Sequence, residues 1–167
     1  KQITEMRGDI GIVYDHTPHR EISSITIDTG EFVVISPDTF FPGQDEVSIS
    51  EITPYPFIKI TDKIGPRGPL GSKLDEYLSK YAENLNITFN TETFQVALAL
   101  VSKNMGITIT DRISAESSTR SNIKILNLRP KLEFSLEIIH LKSNPLSVIN
   151  KKFISFLQNF NYKKQKP

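Results

Sequence analysis

The sequence predicts an α/β fold with mostly parallel sheets, and three observations carry that expectation. Short apolar runs without strict alternation stand at residues 10–14, 31–36 and 57–60, as in strands buried on both faces. Two segments with apolar residues at helical spacing follow, around residues 72–81 and 90–104. From residue 57 onward strand-like and helix-like stretches alternate, which is the order of a layered α/β domain.

The elements are justified in turn. Ile10-Gly11-Ile12-Val13-Tyr14 follows Gly8-Asp9 and reads as a buried strand. Glu31-Phe32-Val33-Val34-Ile35-Ser36 is a second, stopped by the turn chemistry of Pro37-Asp38. Phe57-Ile58-Lys59-Ile60 is a third, followed by a Gly- and Pro-dense loop over residues 61–71. Ser72 with Asp75 three positions on forms a capping-box pattern, and Leu74, Tyr77, Leu78 and Tyr81 give the helix one apolar face. The next helix opens at Asn90 or Thr91, carries the stripe Phe94, Ala97, Leu98 and Val101, and ends at Asn104-Met105-Gly106. Ile107-Thr108-Ile109-Thr110 reads as a strand, as do residues 123–128 and 134–141. A last helix starts around Asn144-Pro145, with Ile149, Phe153, Phe156, Leu157 and Phe160 as its buried face.

Composition narrows the function classes. The chain has 167 residues, 38% of them hydrophobic and 23% charged, so it can bury a core as one compact domain or two small lobes. A formal charge of +1 argues against a chain whose main task is gripping phosphates. The basic end, residues 162–167, reads as a solvated tail. With no cysteine, disulfides, thiol nucleophiles and cysteine metal sites are excluded. No apolar run approaches the ~18 residues of a membrane helix. The chain opens at Lys1 without an initiating Met or signal peptide, which reads as a fragment or a processed chain.

Motifs for chemistry are sparse. His16 and His19 fall in a Pro-containing loop without a third strong ligand nearby, so no metal site is expected. Glu92, Asp111 and Glu116 show no pairing for general acid/base work. The Ser117-Ser118-Thr119-Arg120-Ser121 loop lacks the setting of a nucleophile elbow. Residues 65–71 lack the Gly-Lys-Ser/Thr ending of a phosphate-cradling loop.

Two segments resemble a known family. Arg7-Gly8-Asp9-Ile10-Gly11-Ile12-Val13 resembles the early strand of the effector domains of LysR-type transcriptional regulators. Leu100-Val101-Ser102-Lys103-Asn104-Met105-Gly106-Ile107-Thr108-Ile109 resembles their helix, Gly turn and strand. Between them, Phe32-Val33-Val34-Ile35-Ser36-Pro37 is similar to the family's valine-rich strand ending at a Pro. Ser48-Ile49-Ser50-Glu51-Ile52, then Tyr55-Pro56-Phe57-Ile58, is similar to its short helix and Pro-initiated strand. The likeness runs from Gly8 to Phe160. It departs at Asn104-Met105-Gly106, where the family often has two glycines, and at Thr110-Asp111, where a Pro is common. The family's opening strand and helix and its helix-turn-helix domain have no counterpart, so an incomplete first lobe is expected.

The resemblance implies a two-lobed fold like that of type II periplasmic binding proteins. The first lobe is expected at residues 1–30 and 131–161, the second at 31–130, and a tail at 162–167. It implies a non-catalytic sensor for a small, anionic metabolite, held between the lobes near Tyr14, Thr29, Thr61, Arg67 and Thr91, with no cofactor. Thr91 also reads as a plain N-cap, Thr61 as a strand end, Tyr14 as packing and Arg67 as a solvated loop residue. Gly65, Gly68 and Gly71 either bring backbone to a ligand or serve loop geometry. The implied partners are further copies of the chain, with the helix around residues 74–81 as one interface element, and DNA through the absent N-terminal domain. Cytoplasmic placement follows from the same likeness. A transport-type solute-binding protein and an enzyme on the same scaffold are the competing readings.

Overall fold

A computed structural model describes residues 8–61, 69–82, 84–117 and 121–159. The chain divides into two compact units, one made of Lys1–Thr29 with Phe134–Pro167, the other of Gly30–Glu133. The chain crosses from one to the other twice, at Thr29/Gly30 and at Glu133/Phe134.

In the first unit, strand β1 (Gly11–Tyr14) pairs antiparallel with β8 (Glu133–Leu141), in a register that sets Gly11 opposite Ile139 and Tyr14 opposite Leu136. Strand β2 (Ile22–Pro37) begins in this unit with half-buried residues alternating with exposed ones, then continues into the second. Ile138, Ile139 and Leu141 are buried, with Val13 and Ile22 packed against the last two. Helix α5 (Val148–Asn159) starts later than the Asn144-Pro145 signal indicated, because the Ser147 hydroxyl accepts from the Asn150 amide at 3.1 Å. Of its expected buried face, Leu157 is half-buried and the other described residues are exposed. Ile149 is 78% exposed, Phe156 58% and Phe153 40%, while the buried residue is Ile154. Phe160 lies outside the described residues.

The second unit is built around the apolar half of β2. Val33, Val34 and Ile35 are fully buried, a β-branched run enclosed on both faces. β2 pairs antiparallel with β6 (Thr108–Asp111) and with β7 (Ile123–Arg129). The short β3 (Glu46–Ser48) lies parallel to β7, and β4 (Phe57–Ile60) parallel to β5 (Ile87–Thr91). An isolated parallel bridge, Phe57 with Ile107, sets β4 beside the start of β6. The α/β class holds, while the pairing is more mixed than the expected mostly parallel sheets, because β2 runs against the strands that return beside it.

Helices fill the faces. α1 (Ile49–Ile52) opens with a capping box in which Glu51 bonds the Ser48 amide at 2.7 Å. α2 (Pro69–Tyr81) begins before Ser72, which therefore sits inside the helix rather than capping it. Its stripe buries Tyr77 and Leu78, and the Tyr77 hydroxyl donates to the Pro130 carbonyl at 2.6 Å. α3 (Phe94–Val101) is capped by Thr93, not by Asn90 or Thr91, since Asn90 and Thr91 belong to β5. α4 (Arg112–Glu116) is capped by Asp111, whose Oδ1 accepts from the Ser114 amide at 2.8 Å. Ala97, Leu98 and Val101 of α3 close the core over Val33, Ile35 and Ile58.

Candidate functional site

The second unit holds a cavity of about 340 Å³ where strand ends meet helix starts. Ile60 ends β4 and Asp111 ends β6, while Leu70, Phe94 and Ser114 come from the openings of α2, α3 and α4. Carboxyl ends of parallel neighbours and the N-termini of following helices face the same side of such a layer, so a crevice forms there. Phe32, Phe57, Leu74 and Ile109 give it apolar walls. Lys59 Nζ lies 3.2 Å from Asp75 Oδ1, an ion pair joining β4 to α2 at the cavity.

Two of the residues expected at the site from sequence are brought together beside it. The Thr61 amide donates to the Thr91 carbonyl at 2.7 Å, and its hydroxyl reaches the same oxygen at 3.3 Å. Thr91, 7% exposed, donates its hydroxyl to the Thr93 carbonyl at 3.1 Å. Thr91 thus ends a strand and steadies the turn into α3, while Thr93 does the capping by accepting from the Val96 amide at 3.4 Å. What Thr91 retains for a ligand is acceptor capacity. Arg67, Gly65 and Gly68 lie outside the described residues, and Gly71 lines the cavity within α2.

The other two expected residues belong to the first unit. Tyr14 ends β1, 40% exposed, with its ring edge-on to Phe134 at 5.5 Å. Thr29 is exposed on β2, its amide donating to Asp28 Oδ1 at 2.8 Å. Just past Tyr14 a polar cluster ties β1 to β8. Asp15, in the left-handed region at φ 43°, accepts from the Ser135 amide at 2.8 Å, and the Ser135 hydroxyl lies 2.6 Å from Glu137 Oε1. That hydroxyl bond holds the Glu137 carboxyl below its ordinary value. Burial opposes this, and bonds from Ser24 and the His16 amide add to it.

An ion cluster stands next to both chain crossings, within the second unit. Arg112 Nε is 2.5 Å from Glu31 Oε1, and the same guanidinium bonds Asn127 and lies 3.7 Å from Glu116. Lys131 Nζ bridges Glu31 at 3.1 Å and Glu133 at 2.6 Å. Burial alone would raise the Glu31 carboxyl, but hydrogen bonds and charge from Lys131 and Arg112 outweigh it and hold the group low. Lys131 is correspondingly raised, first by its bond to Glu133 and then by Glu31. Of the carboxylates weighed from sequence, Asp111 is a helix cap and Glu116 an ion partner of Arg112.

Sequence reasoning missed Lys59, Asp75 and Asp111 as cavity residues. Asp111-Arg112-Ile113-Ser114 after a strand carries an N-cap signal, so that one could have been found. Lys59 and Asp75 are separated by a loop, and no periodicity links them.

Comparison with known proteins adds the following. A family profile described as LysR substrate binding domain matches residues 1–161. The chain is 27% identical over 158 residues to the HTH-type transcriptional regulator DgcR of Pseudoalteromonas sp., covering 94% of this chain and 53% of that protein. The chain therefore spans about half the length of that curated relative. Its fold is similar to the Synechocystis PCC6803 CcmR regulatory domain in complex with 2-PG, with TM-score 0.75, 17% identity and coverage of 94% and 75%. It is also similar to the effector binding domain of QuiR in complex with shikimate, with TM-score 0.71, 21% identity and coverage of 99% and 77%.

Proposed function

The chain belongs to the LysR substrate-binding-domain family, and on that premise we propose that it is the ligand-sensing part of a LysR-type transcriptional regulator. The two compact units are read as its lobes. The effector is a small anionic metabolite, contacted by Tyr14, Thr29, Thr61, Arg67 and Thr91, and no catalysis accompanies binding. DNA is engaged through a separate N-terminal domain, copies of the chain assemble with one another, and the protein works in the cytoplasm. Among the described residues no helix is long and apolar enough to cross a membrane.

The observation that carries the reading is the meeting of Thr61 and Thr91 at the carboxyl ends of β4 and β5, next to the capped start of α3. A helix start offers amides with no intrahelical partner and a partial positive charge, which suit a carboxylate or phosphate. The CcmR and QuiR domains with a similar fold are in complex with small molecules, 2-PG and shikimate. A ligand moves a regulator only if it binds one arrangement better than another, so the effector must discriminate between states.

The test is thermal unfolding against a panel of carboxylates and phosphate esters. At about 100 times its dissociation constant an effector adds about 2.7 kcal/mol, which is several degrees for a chain of this size. Arg67→Gln and Thr61→Val are expected to weaken that shift. A folded chain that responds to none of these anions would sink the proposal.

A further inference from the structure

We propose that Glu31 is the central pin of an ion latch that keeps the two crossing segments paired. The latch lets them part locally, under the control of ionic strength, while the rest of the second unit stays folded. This goes beyond the effector reading and does not rest on it.

Placement comes first. Glu31 is the second residue after the Thr29/Gly30 crossing, and Lys131 and Glu133 lie in the stretch that runs into the Glu133/Phe134 crossing. Phe32 lies opposite Asp111 in the β2–β6 ladder, so Glu31 is set beside Arg112 at the start of α4. The latch therefore draws on three stretches far apart in sequence, and strand pairing brings them together.

Charges alternate along it. Arg112 reaches Glu116 at 3.7 Å on one side and Glu31 at 2.5 Å on the other. Lys131 reaches Glu31 at 3.1 Å and Glu133 at 2.6 Å. Each cation lies between two carboxylates, and among the described residues Glu31 is the one carboxylate that meets both cations. Removing its charge parts the row in the middle, leaving one pair on α4 and another on the second crossing segment. Removing Glu133 only shortens the row, because both cations still meet Glu31.

The surroundings separate the latch from the core. The side chains of Glu31 and Arg112 are 25% and 27% exposed, and those of Lys131 and Glu133 59% and 60%, so dissolved ions reach the group. Two residues on, Val33, Val34 and Ile35 are fully buried and held by apolar packing, which salt does not screen. Between the two lies one backbone bond, from the Phe32 amide to the Leu132 carbonyl at 2.8 Å, which joins the crossing segments directly. Exposed ion pairs contribute little singly and more as a network, so screening this network weakens the hold on that bond. The Tyr77 hydroxyl anchors the Pro130 carbonyl from α2 at 2.6 Å, so the opening is confined to the stretch beyond it. Such local opening is cheaper than unfolding the buried sheet.

Native-state hydrogen exchange tests this, followed by NMR on the 167-residue chain at constant neutral pH. The Phe32 amide reports on the latch, and the Ile35 amide reports on the interior of the sheet. Sodium chloride is raised from about 0.01 M to about 1 M, which shortens the Debye length from about 30 Å to about 3 Å. Phe32 is expected to exchange about fivefold faster while Ile35 keeps its rate. In low salt, Glu31→Gln is expected to speed Phe32 by a similar factor and to remove most of its response to salt. Glu133→Gln, which leaves both cations on Glu31, is expected to speed it less. The proposal is overturned if Phe32 and Ile35 accelerate together, which would make the cluster an ordinary part of the unit's stability. It is equally overturned if Phe32 ignores salt, or if Glu31→Gln keeps the parent chain's salt response. Should Glu31→Gln fail to fold, the salt titration of the parent chain decides alone.

Discussion

Gly106 shows how much one position can decide. Its φ is +152°, and a Cβ built there would stand 2.4 Å from the Pro56 carbonyl oxygen, which accepts the Ile107 amide at 2.9 Å. The turn from α3 into β6 therefore lies directly on the chain entering β4, and only glycine leaves room. Gly106→Ala is expected to cost more than about 2 kcal/mol, read as a lower denaturant midpoint at unchanged slope. A loss below about 0.5 kcal/mol would contradict the close approach. Tyr77 makes a comparable point about a polar group. Burial, helped by the neighbouring Tyr81, pushes its phenol up to about 12 from 10.0. Its folded value is raised, so its contribution to stability is full below the ordinary value and is lost as pH rises through about 12. Tyr77→Phe, which removes this hydroxyl donor from the Pro130 carbonyl, should cost about 1 kcal/mol, read as a lower denaturant midpoint.

Elements were readable from sequence to the degree that local chemistry specified them. The apolar runs of β4 and β6 and the stripe of α3 announced themselves, because burial leaves a pattern. β1 is a strand but not the buried one expected: its residues alternate half-buried with exposed, and Ile12 is 51% exposed. β5 was hidden inside what looked like a helix approach, since Ile87-Thr88-Phe89-Asn90-Thr91 is short and Ile87, Thr88 and Asn90 are exposed. The early part of β2 was passed over although Ile25 and Ile27 alternate with Thr26 and Asp28 and half-buried residues alternate with exposed ones, the pattern of a half-exposed strand. α5 is the clearest misreading. Helical spacing correctly groups Ile149, Phe153 and Phe156 on one face, but spacing says nothing of what that face meets. Ile154→Ala is accordingly expected to cost about 2–4 kcal/mol, while Ile149→Ser and Phe156→Ser stay within about 0.5 kcal/mol. Equal losses from all three would return the stripe to the core. The ion cluster on Glu31 yields a pH prediction. A carboxyl held below its ordinary 4.5 stabilises the fold above that value, and the contribution disappears as pH falls through the lowered one. Arg112→Met should flatten the acid limb of the stability curve and cost about 1 kcal/mol at neutral pH.

For the whole molecule, the α/β class and the order of segments pointed to the family, and the family profile over residues 1–161 confirms that membership. The candidate site was less accessible. Of the residues expected there, Thr61 follows β4 and Thr91 ends β5 rather than opening a helix, and the two are hydrogen-bonded, whereas the Lys59–Asp75 pair arises only when β4 and α2 come together in space. The central claim is that the chain binds a small metabolite and leaves it chemically unchanged. Native mass spectrometry tests it most directly, on the folded 167-residue chain incubated with a defined mixture of anionic metabolites. The account predicts one retained species, released on denaturation at its original mass. A folded chain that retains nothing, or that releases a compound of altered mass, would contradict it.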